Sequence, residues 1–559
     1  MAEDRVADLA AEFVAAKRAA EPTEALLMGG VEYAGLHERA SRDAEDERID
    51  RFQAITARAA SLRATTLTPD DLLTLDVIEH GAGAVLAEAS SRMAEFDVNH
   101  VVGFQAFLPS IISMLPTQNR DVAAALPEKY RAMAHSIDER AQRLREGVAH
   151  GRTPPEREVT ATAEQIASTF GGPFADDPLL RLPKPEDRPD KEWTAWLEAE
   201  IAPVVAREVR PALERYRQTL ISEVLPHARS DDHIGLRWLA DGADVHQAAI
   251  RRFTTLDLAA DEIHDIGLEA VGRIRDEMGR LGDEEFGMAD VAQVVVKLRT
   301  DDTLRYASAG AIVHDAERAI ENATSVAPAW FGAIPKASCT VEVTSSGPDG
   351  WYMPPAPDGS RPGTFHLNVA QPKNFGPELE AVAYHETIPG HHLQVGVAQE
   401  NPDLSDVRRN AEITAFAEGW GLYAEQLADE MGLYSSPLTR LGRLIVDALR
   451  AARLVVDTGI HAKGWSRSEA LQYLVATVPF ATDALEAQLD RYVGQPGQSL
   501  AYQLGRREIL RIRERATSIL GRGFRVADFH DVVLTGGSLP LPSLGRVVEA
   551  WAEAAATRA

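Results

Sequence analysis

The chain has 559 residues, of which 45% are hydrophobic and 26% charged, a composition typical of a folded globular protein and not of a disordered one. Its 85 acidic residues outnumber the 58 basic ones and give a formal net charge of −27, which argues against nucleic acid or an anionic membrane as a partner. The single cysteine, Cys339, excludes an intramolecular disulfide. No stretch of about 18 uncharged apolar residues occurs, so we expect a cytoplasmic protein without a membrane span.

Helical periodicity dominates the first half of the chain, and polar, proline-rich segments separate the helical stretches. The clearest helical segments are 43–64, 69–95, 123–151 and 190–224. The breaks lie at 153–155, 171–173 and 183–189. These patterns predict a mainly α fold.

A short β-favouring region interrupts the helices. Segments 337–344 and 363–370 alternate between apolar and polar residues, and a Gly/Pro-rich stretch separates them. We expect a small β-sheet beside the active-site helix, with 363–370 as a half-buried strand that could bind substrate backbone as an added strand. Helices then resume to the C-terminus. The predicted organisation is an N-terminal helical region, 1–270, and a catalytic region, 271–559, joined in one integrated fold.

Three histidines and a glutamate lie within eight residues, from His385 to His392. In the familiar metalloprotease motif two histidines four residues apart bind zinc, and the glutamate after the first is the general base. Here Pro389 occupies the position four residues after His385, so that strict motif is absent. We nevertheless interpret His385 as a zinc ligand and Glu386 as the general base.

The second ligand is either His391 or His392. On a continuous helix His385 and His392 share a face, but about 10 Å of helical rise separates them. One zinc ion with nitrogen ligands at about 2 Å cannot bridge that distance. A kink or bulge ahead of Pro389 would bring His391 to the position of the second ligand. We therefore favour His391, with His392 as the alternative.

A third ligand is expected from the following helix. Glu418 shares its helical face with small and apolar residues, where a carboxylate is costly unless it is paired or bound to metal. The alternative is a buried salt bridge to Arg450 or Arg453. Glu412 and Glu425 are weaker candidates for the ligand, and Glu425 could instead orient a ligand histidine.

These motifs carry a family resemblance. The His-Glu pair followed by Glu-Gly-Trp-Gly-Leu-Tyr-Ala-Glu, 418–425, resembles the gluzincin zinc metallopeptidases. More closely, 385–394 reads His-Glu-Thr-x-Pro-Gly-His-His-x-Gln and resembles a bacterial family of unknown function grouped with those peptidases. Supporting segments extend the resemblance over most of the chain. They are 253–255, 262–268, 457–461 and 496–498 with Tyr502. The resemblance implies a large helical metallopeptidase-like fold and a His-His-Glu zinc site.

Two further residues are candidates for catalysis. Arg450, Arg453, Asp457 and His461 fall on one helical face, which we interpret as a polar face at the site with His461 near the scissile bond. A salt-bridged surface stripe is the alternative. The gluzincin resemblance implies that Tyr502 donates a hydrogen bond to the developing oxyanion, although a hydroxyl satisfied in the core fits equally.

Together these residues predict a Zn²⁺-dependent hydrolase that cleaves peptide bonds, with oligopeptides as substrates. Zinc would activate a water molecule, and Glu386 would accept its proton and deliver it to the leaving amine. Three alternatives stay open: a hydrolase acting on a small, non-peptide amide, a non-haem iron oxygenase, and a non-catalytic binding protein that retains the fold. Glu386 favours hydrolysis, because an oxygenase has no need of that base.

Overall fold

The structure, a computed structural model, describes residues 2–345, 347–356 and 361–558. It is 72% helical and contains one three-stranded sheet, which confirms the mainly α class. Among the described helices none combines the length and apolar character needed to cross a membrane.

As far as residue 326 the described chain consists of helices and their connecting loops. Its helices are α1 (Ala2–Ala20), α2 (Pro22–Leu27), α3 (Arg42–Arg63), α4 (Pro69–Ser90), α5 (Phe104–Met114), α6 (Arg120–Ala149), α7 (Glu156–Phe170), α8 (Asp190–Trp196), α9 (Ala202–Val204), α10 (Arg210–Thr219), α11 (Gly242–Thr254), α12 (Ala260–Phe286), α13 (Val291–Thr300) and α14 (Ala309–Val326). Short π-helical segments connect α8 to α9 and α9 to α10, and a third follows α10, so residues 190–224 form one continuous helical stretch.

The rest of the chain contains the sheet and a second set of helices. The strands are β1 (Cys339–Thr344), β2 (Gly350–Met353) and β3 (Gly363–Asn368). The helices are α15 (Leu379–Glu386), α16 (His391–Gln399), α17 (Asp406–Arg409), α18 (Thr414–Glu430), α19 (Pro437–Thr458), α20 (Arg467–Thr477), α21 (Thr482–Gly494), α22 (Ala501–Leu520), α23 (Val526–Leu534) and α24 (Leu541–Arg558).

Local sequence signals explain where several helices begin. Thr68 caps α4 in a reciprocal capping box with Asp71, and Pro69 occupies the first turn. Ser436 caps α19 in the same way, again with a proline at the start of the helix. Each cap satisfies backbone N–H groups that have no partner inside the helix. The helical segments predicted from periodicity therefore start close to where the structure begins them.

Two large hydrophobic cores organise the molecule. One lies within the N-terminal part and is formed by α5 to α10, around residues such as Leu126 and Leu213. The other contains Val6 and Phe52 from α1 and α3 together with residues as late as Val548 in α24. The predicted boundary at residue 270 falls inside α12, which packs along α19. The two predicted regions thus share a core and a continuous helix across that boundary.

The sheet has the order β1–β3–β2, with β3 parallel to β1 and antiparallel to β2. Phe365 and Leu367 are fully buried in the large core, and Thr364 and His366 on the opposite face are also buried, so the strand is not half-buried as predicted. The prediction that this strand accepts an added substrate strand is wrong, because β1 and β2 already occupy both of its edges. Within the described residues, the free strand edges belong to β1 and β2.

Candidate metal centre

A four-residue break separates the two helices that carry the histidines. α15 ends at Glu386 and α16 begins at His391. The indole nitrogen of Trp420 donates a hydrogen bond to the Pro389 carbonyl at 2.9 Å and holds the break against α18. A side chain on Gly390 would collide with the carbonyl oxygen of His385, so glycine is required where the chain folds back. The predicted kink is therefore a complete interruption of the helix, and helical rise no longer separates the histidines.

The break brings His391 beside His385 and Glu418, a group that we call the metal triad. One ligand atom from each of the three residues lies within 4.8 Å of the others. A single carboxylate oxygen of Glu418 is 3.3 Å from Nε2 of His385 and 3.7 Å from Nε2 of His391. Tetrahedral zinc with bonds of about 2.0–2.1 Å places its ligand atoms roughly 3.3–3.5 Å apart. The donor types and their spacing therefore fit a tetrahedral metal ion.

His392 has a different environment. Its Nε2 donates to the carbonyl of Ala337 at 3.0 Å, and its Nδ1 accepts from the hydroxyl of Tyr352 at 2.9 Å. Both ring nitrogens are therefore hydrogen-bonded to residues in or next to the sheet. Burial lowers the pKa of the His392 imidazole. Of the two alternatives left by the sequence, the structure places His391 in the triad.

Glu425 orients His385. Its carboxylate lies 2.8 Å from Nδ1 of His385, so the proton belongs on Nδ1 and the Nε2 lone pair faces the triad. Burial opposes a charge on His385, but hydrogen bonds with Glu418 and Glu425 outweigh it and raise its pKa to about 10. The two carboxylates thus favour a positive charge at the triad, whether a proton or a metal ion.

A glycine on α18 makes this geometry possible. Gly421 lies one turn after Glu418, and a Cβ atom there would sit 2.5 Å from Cε1 of His385. Only glycine lets α18 approach the imidazole closely enough for Glu418 to reach it. Sequence reasoning treated Gly421 as one more small residue on the face of Glu418. The sequence feature that could have revealed this role is the position of Gly421, one helical turn from Glu418, a carboxylate expected to need a partner.

The salt-bridge alternative for Glu418 is not observed. No lysine or arginine among the described residues lies within 4 Å of its carboxylate, which is 21% exposed. Burial alone would raise the pKa of Glu418, but the hydrogen bond with His385 and the nearby ring of His391 hold it well below the usual value. The weaker candidate Glu412 instead pairs with Lys17 of α1 at 2.6 Å.

Glu386 directly follows His385 at the end of α15 and is partly exposed. Across the described residues, no hydrogen bond or ion pair engages its carboxylate. A carboxylate without a structural partner beside a possible metal ligand is free to bind water. This is the position that a general base requires.

Tyr502 lies on α22, which packs against α18 where Gly419 meets Gly505. The tyrosine is 7% exposed, and the guanidinium carbon of Arg453 lies 4.6 Å from the centre of its ring. Within the part of the chain that the structure describes, its hydroxyl makes no hydrogen bond. The alternative of a hydroxyl satisfied in the core is therefore not observed.

His461 does not join the triad. Its Nδ1 accepts a hydrogen bond from the backbone N–H of Leu236 at 3.2 Å, and its Nε2 donates to the Tyr492 carbonyl at 3.0 Å. The ring is 1% exposed, and burial lowers its pKa to about 4. Both nitrogens are committed to backbone groups, so the expected position of His461 near a scissile bond is not supported.

A second group of histidine and carboxylates was not anticipated from the sequence. His100, Glu158 and Asp490 also bring one ligand atom each within 4.8 Å. Here Asp490 accepts hydrogen bonds from Arg467 at 2.9 Å and from Arg157 at 3.2 Å. We call these five residues the ion network.

Comparison with known proteins places the chain in a family. The model of a family described as "Bacterial protein of unknown function (DUF885)" matches residues 22–548. A solved structure from Colwellia psychrerythraea, described as a putative lipoprotein, is similar, with a TM-score of 0.91 and 25% identity over 99% of this chain and 100% of that one. Another, described as a putative lipoprotein of unknown function from Shewanella oneidensis, has a TM-score of 0.76 and 17% identity over 97% and 99% of the two chains. No curated protein matches. The chain therefore belongs to the bacterial DUF885 family, which confirms the resemblance to a bacterial family of unknown function.

Proposed function

We propose that this protein is a zinc-dependent hydrolase that cleaves peptide bonds in oligopeptides. The observation that carries the proposal is the metal triad, with Glu386 unpartnered directly beside its first histidine. The ligand set of two imidazoles and one carboxylate is that of hydrolytic zinc sites, which keep a fourth position for water or substrate.

His385, His391 and Glu418 would hold the zinc ion. When bound, zinc polarises a substrate carbonyl and lowers the pKa of a coordinated water molecule. Glu425 keeps the Nδ1 proton of His385 in place and thereby fixes the orientation of that ligand. The relationship to gluzincin metallopeptidases, which the sequence motifs suggest, is part of this proposal.

The remaining chemistry belongs to side chains that are free to perform it. Glu386 would accept a proton from the attacking water and return it to the leaving amine. The free hydroxyl of Tyr502 would donate a hydrogen bond to the oxygen that becomes negatively charged. His461 has no nitrogen available and is left out of this mechanism.

A peptide backbone has a suitable surface at β1. Along its outer edge β1 has no strand partner in the described chain. His392 binds the carbonyl of Ala337, and Glu400 accepts the backbone N–H groups of Lys336 and Ala337, so the segment entering β1 is fixed against α16. An extended peptide could pair with this edge and present a carbonyl to the triad.

The substitution Glu386→Gln tests the proposal. Because glutamine cannot accept the proton, we expect turnover of a peptide library to fall roughly a hundredfold or more, with zinc content unchanged. Zinc is measured by mass spectrometry on protein purified without added metal. Glu380→Gln, in the same helix, is the control, since Glu380 accepts the backbone N–H of Ser435 instead.

Two outcomes would contradict the assignment. Loss of zinc in Glu386→Gln would make Glu386 a ligand. Unchanged turnover would remove its role as base and with it this mechanism. Wild-type protein that contains stoichiometric zinc but cleaves no peptide would exclude peptide hydrolysis.

A further inference from the structure

Two arginines of α19 lie next to the residues that support the triad. A terminal nitrogen of Arg450 is 3.7 Å from the carboxylate of Glu425, which itself holds His385. Arg453, one turn further, covers the ring of Tyr502. Neither arginine has a place in the proposed hydrolytic mechanism, although both border its components.

Arg453 is a buried cation that has no carboxylate within 4 Å among the described residues. It is 5% exposed, its Nε donates to the hydroxyl of Tyr492, and one terminal nitrogen donates to the side chain of Gln488, each at 3.0 Å. The other terminal nitrogen is buried and has no partner among the described residues. Both partners that it does have are neutral. Burying a charge in this way is costly unless an anion compensates it.

The other buried arginines have the carboxylate partner that Arg453 lacks among the described residues. Five arginines of the described chain are less than a tenth exposed, and four of them have a carboxylate within 4 Å. These four are Arg143 with Glu45, Arg408 with Asp70, Arg443 with Glu277 and Arg506 with Asp447. Arg453 alone among the five has no carboxylate of the described chain within 4 Å.

Arg453 lies on the side of the triad, because Arg450, one turn earlier on α19, contacts Glu425, which holds His385. Burial lowers the pKa of Arg453, but the phenol rings of Tyr492 and Tyr502 and the carboxylate of Glu418 together raise it. Glu418 belongs to the triad, and the guanidinium carbon lies 4.6 Å from the centre of the Tyr502 ring. Arg450 adds a second guanidinium there, and its Nε is also buried without a partner.

We propose that Arg453, assisted by Arg450, binds a carboxylate of the substrate, so that the protein acts on peptides that carry a free carboxylate near the scissile bond. This inference rests on the proposed function. Guanidinium groups bind carboxylates through paired, charge-assisted hydrogen bonds, which fix orientation as well as affinity. The carboxylate is either the C-terminus of the peptide or the side chain of an acidic residue.

Matched peptides distinguish these possibilities. We would compare an N-acetylated tripeptide with a free C-terminus, the same tripeptide as its amide, and an amide with glutamate at the last position. For a C-terminal carboxylate we expect kcat/KM about 10- to 100-fold higher for the free acid than for both amides, the effect of losing hydrogen bonds to a charged group. A glutamate amide as good as the free acid would identify the side chain as the source.

The Arg453→Met variant should abolish this preference while retaining zinc. Arg453→Lys, which keeps the charge but not the planar fork, should retain part of it and serves if the methionine variant does not fold. Arg443→Met is the matched control on the same helix, because Arg443 already has Glu277 as a partner, and it should leave the ratio of acid to amide unchanged.

A binding measurement separates this inference from the hydrolase proposal. Calorimetry with zinc-loaded Glu386→Gln protein would compare N-acetyl-alanyl-phenylalanine with its amide, and we expect roughly tenfold or tighter binding of the acid, lost in Arg453→Met. Equal binding and equal cleavage of acids and amides would overturn the inference. Preferential binding of the acid without cleavage of any peptide would leave it standing and overturn the hydrolase proposal alone.

Discussion

The metal triad and the ion network contain similar side chains but balance their charges differently. Each brings histidine and carboxylate atoms within 4.8 Å of one another. In the ion network two arginines contact Asp490, and the side-chain amide of Asn99 donates to Glu158 at 2.8 Å. In the triad the basic side chains of the described residues within 4 Å of Glu418 are His385 and His391.

The comparison shows that proximity of ligand atoms alone does not define a metal site. Cations of the protein already neutralise the carboxylates of the ion network, which joins α7 to α20 and α21. In the triad the carboxylate of Glu418 faces two imidazoles that can bind either a proton or a metal ion, and no lysine or arginine of the described chain lies within 4 Å of it. Its partial exposure, 16% for the side chain of His391, gives solvent and ions access to it.

Replacing one carboxylate in each group gives the largest expected difference. Glu418→Ala should release stoichiometric zinc, because two histidines alone bind the ion far more weakly. Asp490→Ala should leave zinc bound but lower the free energy of unfolding by about 3 kcal/mol, since the largely buried Arg467 would keep only its longer, 3.6 Å contact with Glu486. Metal content and melting temperature measured on the same samples test both expectations.

The opposite pattern would reverse the assignment. If Glu418→Ala kept its zinc and lost several kcal/mol of stability, Glu418 would be half of a structural ion pair. If Asp490→Ala lost metal, the ion network would be a second metal site.

A second prediction concerns the two adjacent histidines. His391→Ala should abolish stoichiometric zinc binding. His392→Ala should retain it, with at most a tenfold weaker affinity, because His392 anchors Tyr352 and Ala337 instead. Zinc titration against a competing chelator measures both. Loss of zinc in His392→Ala with retention in His391→Ala would mean that α16 starts with a different orientation.

The smallest expected effect comes from Gly421→Ala. The added methyl would press on the ring of His385, so we expect zinc affinity to fall about 10- to 100-fold, as for changes that displace a ligand's support. Gly272→Ala in α12 is the control, because a Cβ atom there meets nothing within 4 Å. Helix propensity should make that control slightly more stable. Equal zinc affinity in the two variants would contradict close packing of α18 on His385.

Local features of the site could be predicted from the sequence, whereas features that depend on packing could not. The motif around His385 and the unusual carboxylate Glu418 were sufficient to predict three residues that the structure brings together. The predicted position of His461 is wrong because two side chains on one helical face do not have to lie at the same site. Eleven residues of helix span about 16 Å, so the side chains of Arg450 and His461 contact different parts of the protein.

The fold shows the same limit. Periodicity identified the long helices because the regular spacing of apolar residues along one helical face can be recognised in the local sequence. It could not identify what each stripe packs against, and so it did not reveal that α1 and α24 share a core or that α12 crosses residue 270. The role of Gly421 was also hidden, because a close approach between two helices has no signature in either helix alone.

The shared core also has a consequence for synthesis of the chain on the ribosome. Val6 and Phe52 pack in the same core as Val548, and Asp76 in α4 accepts a hydrogen bond from Ser543 in α24 at 2.7 Å. At about 5–20 residues per second, α24 is completed roughly 20–90 s after α4. The apolar faces of the first helices therefore lack the residues of α24 that complete their core until α24 has been synthesised. Closure of the core that supports the triad is consequently a late event, and chains that stall before α24 expose the surface most prone to aggregation.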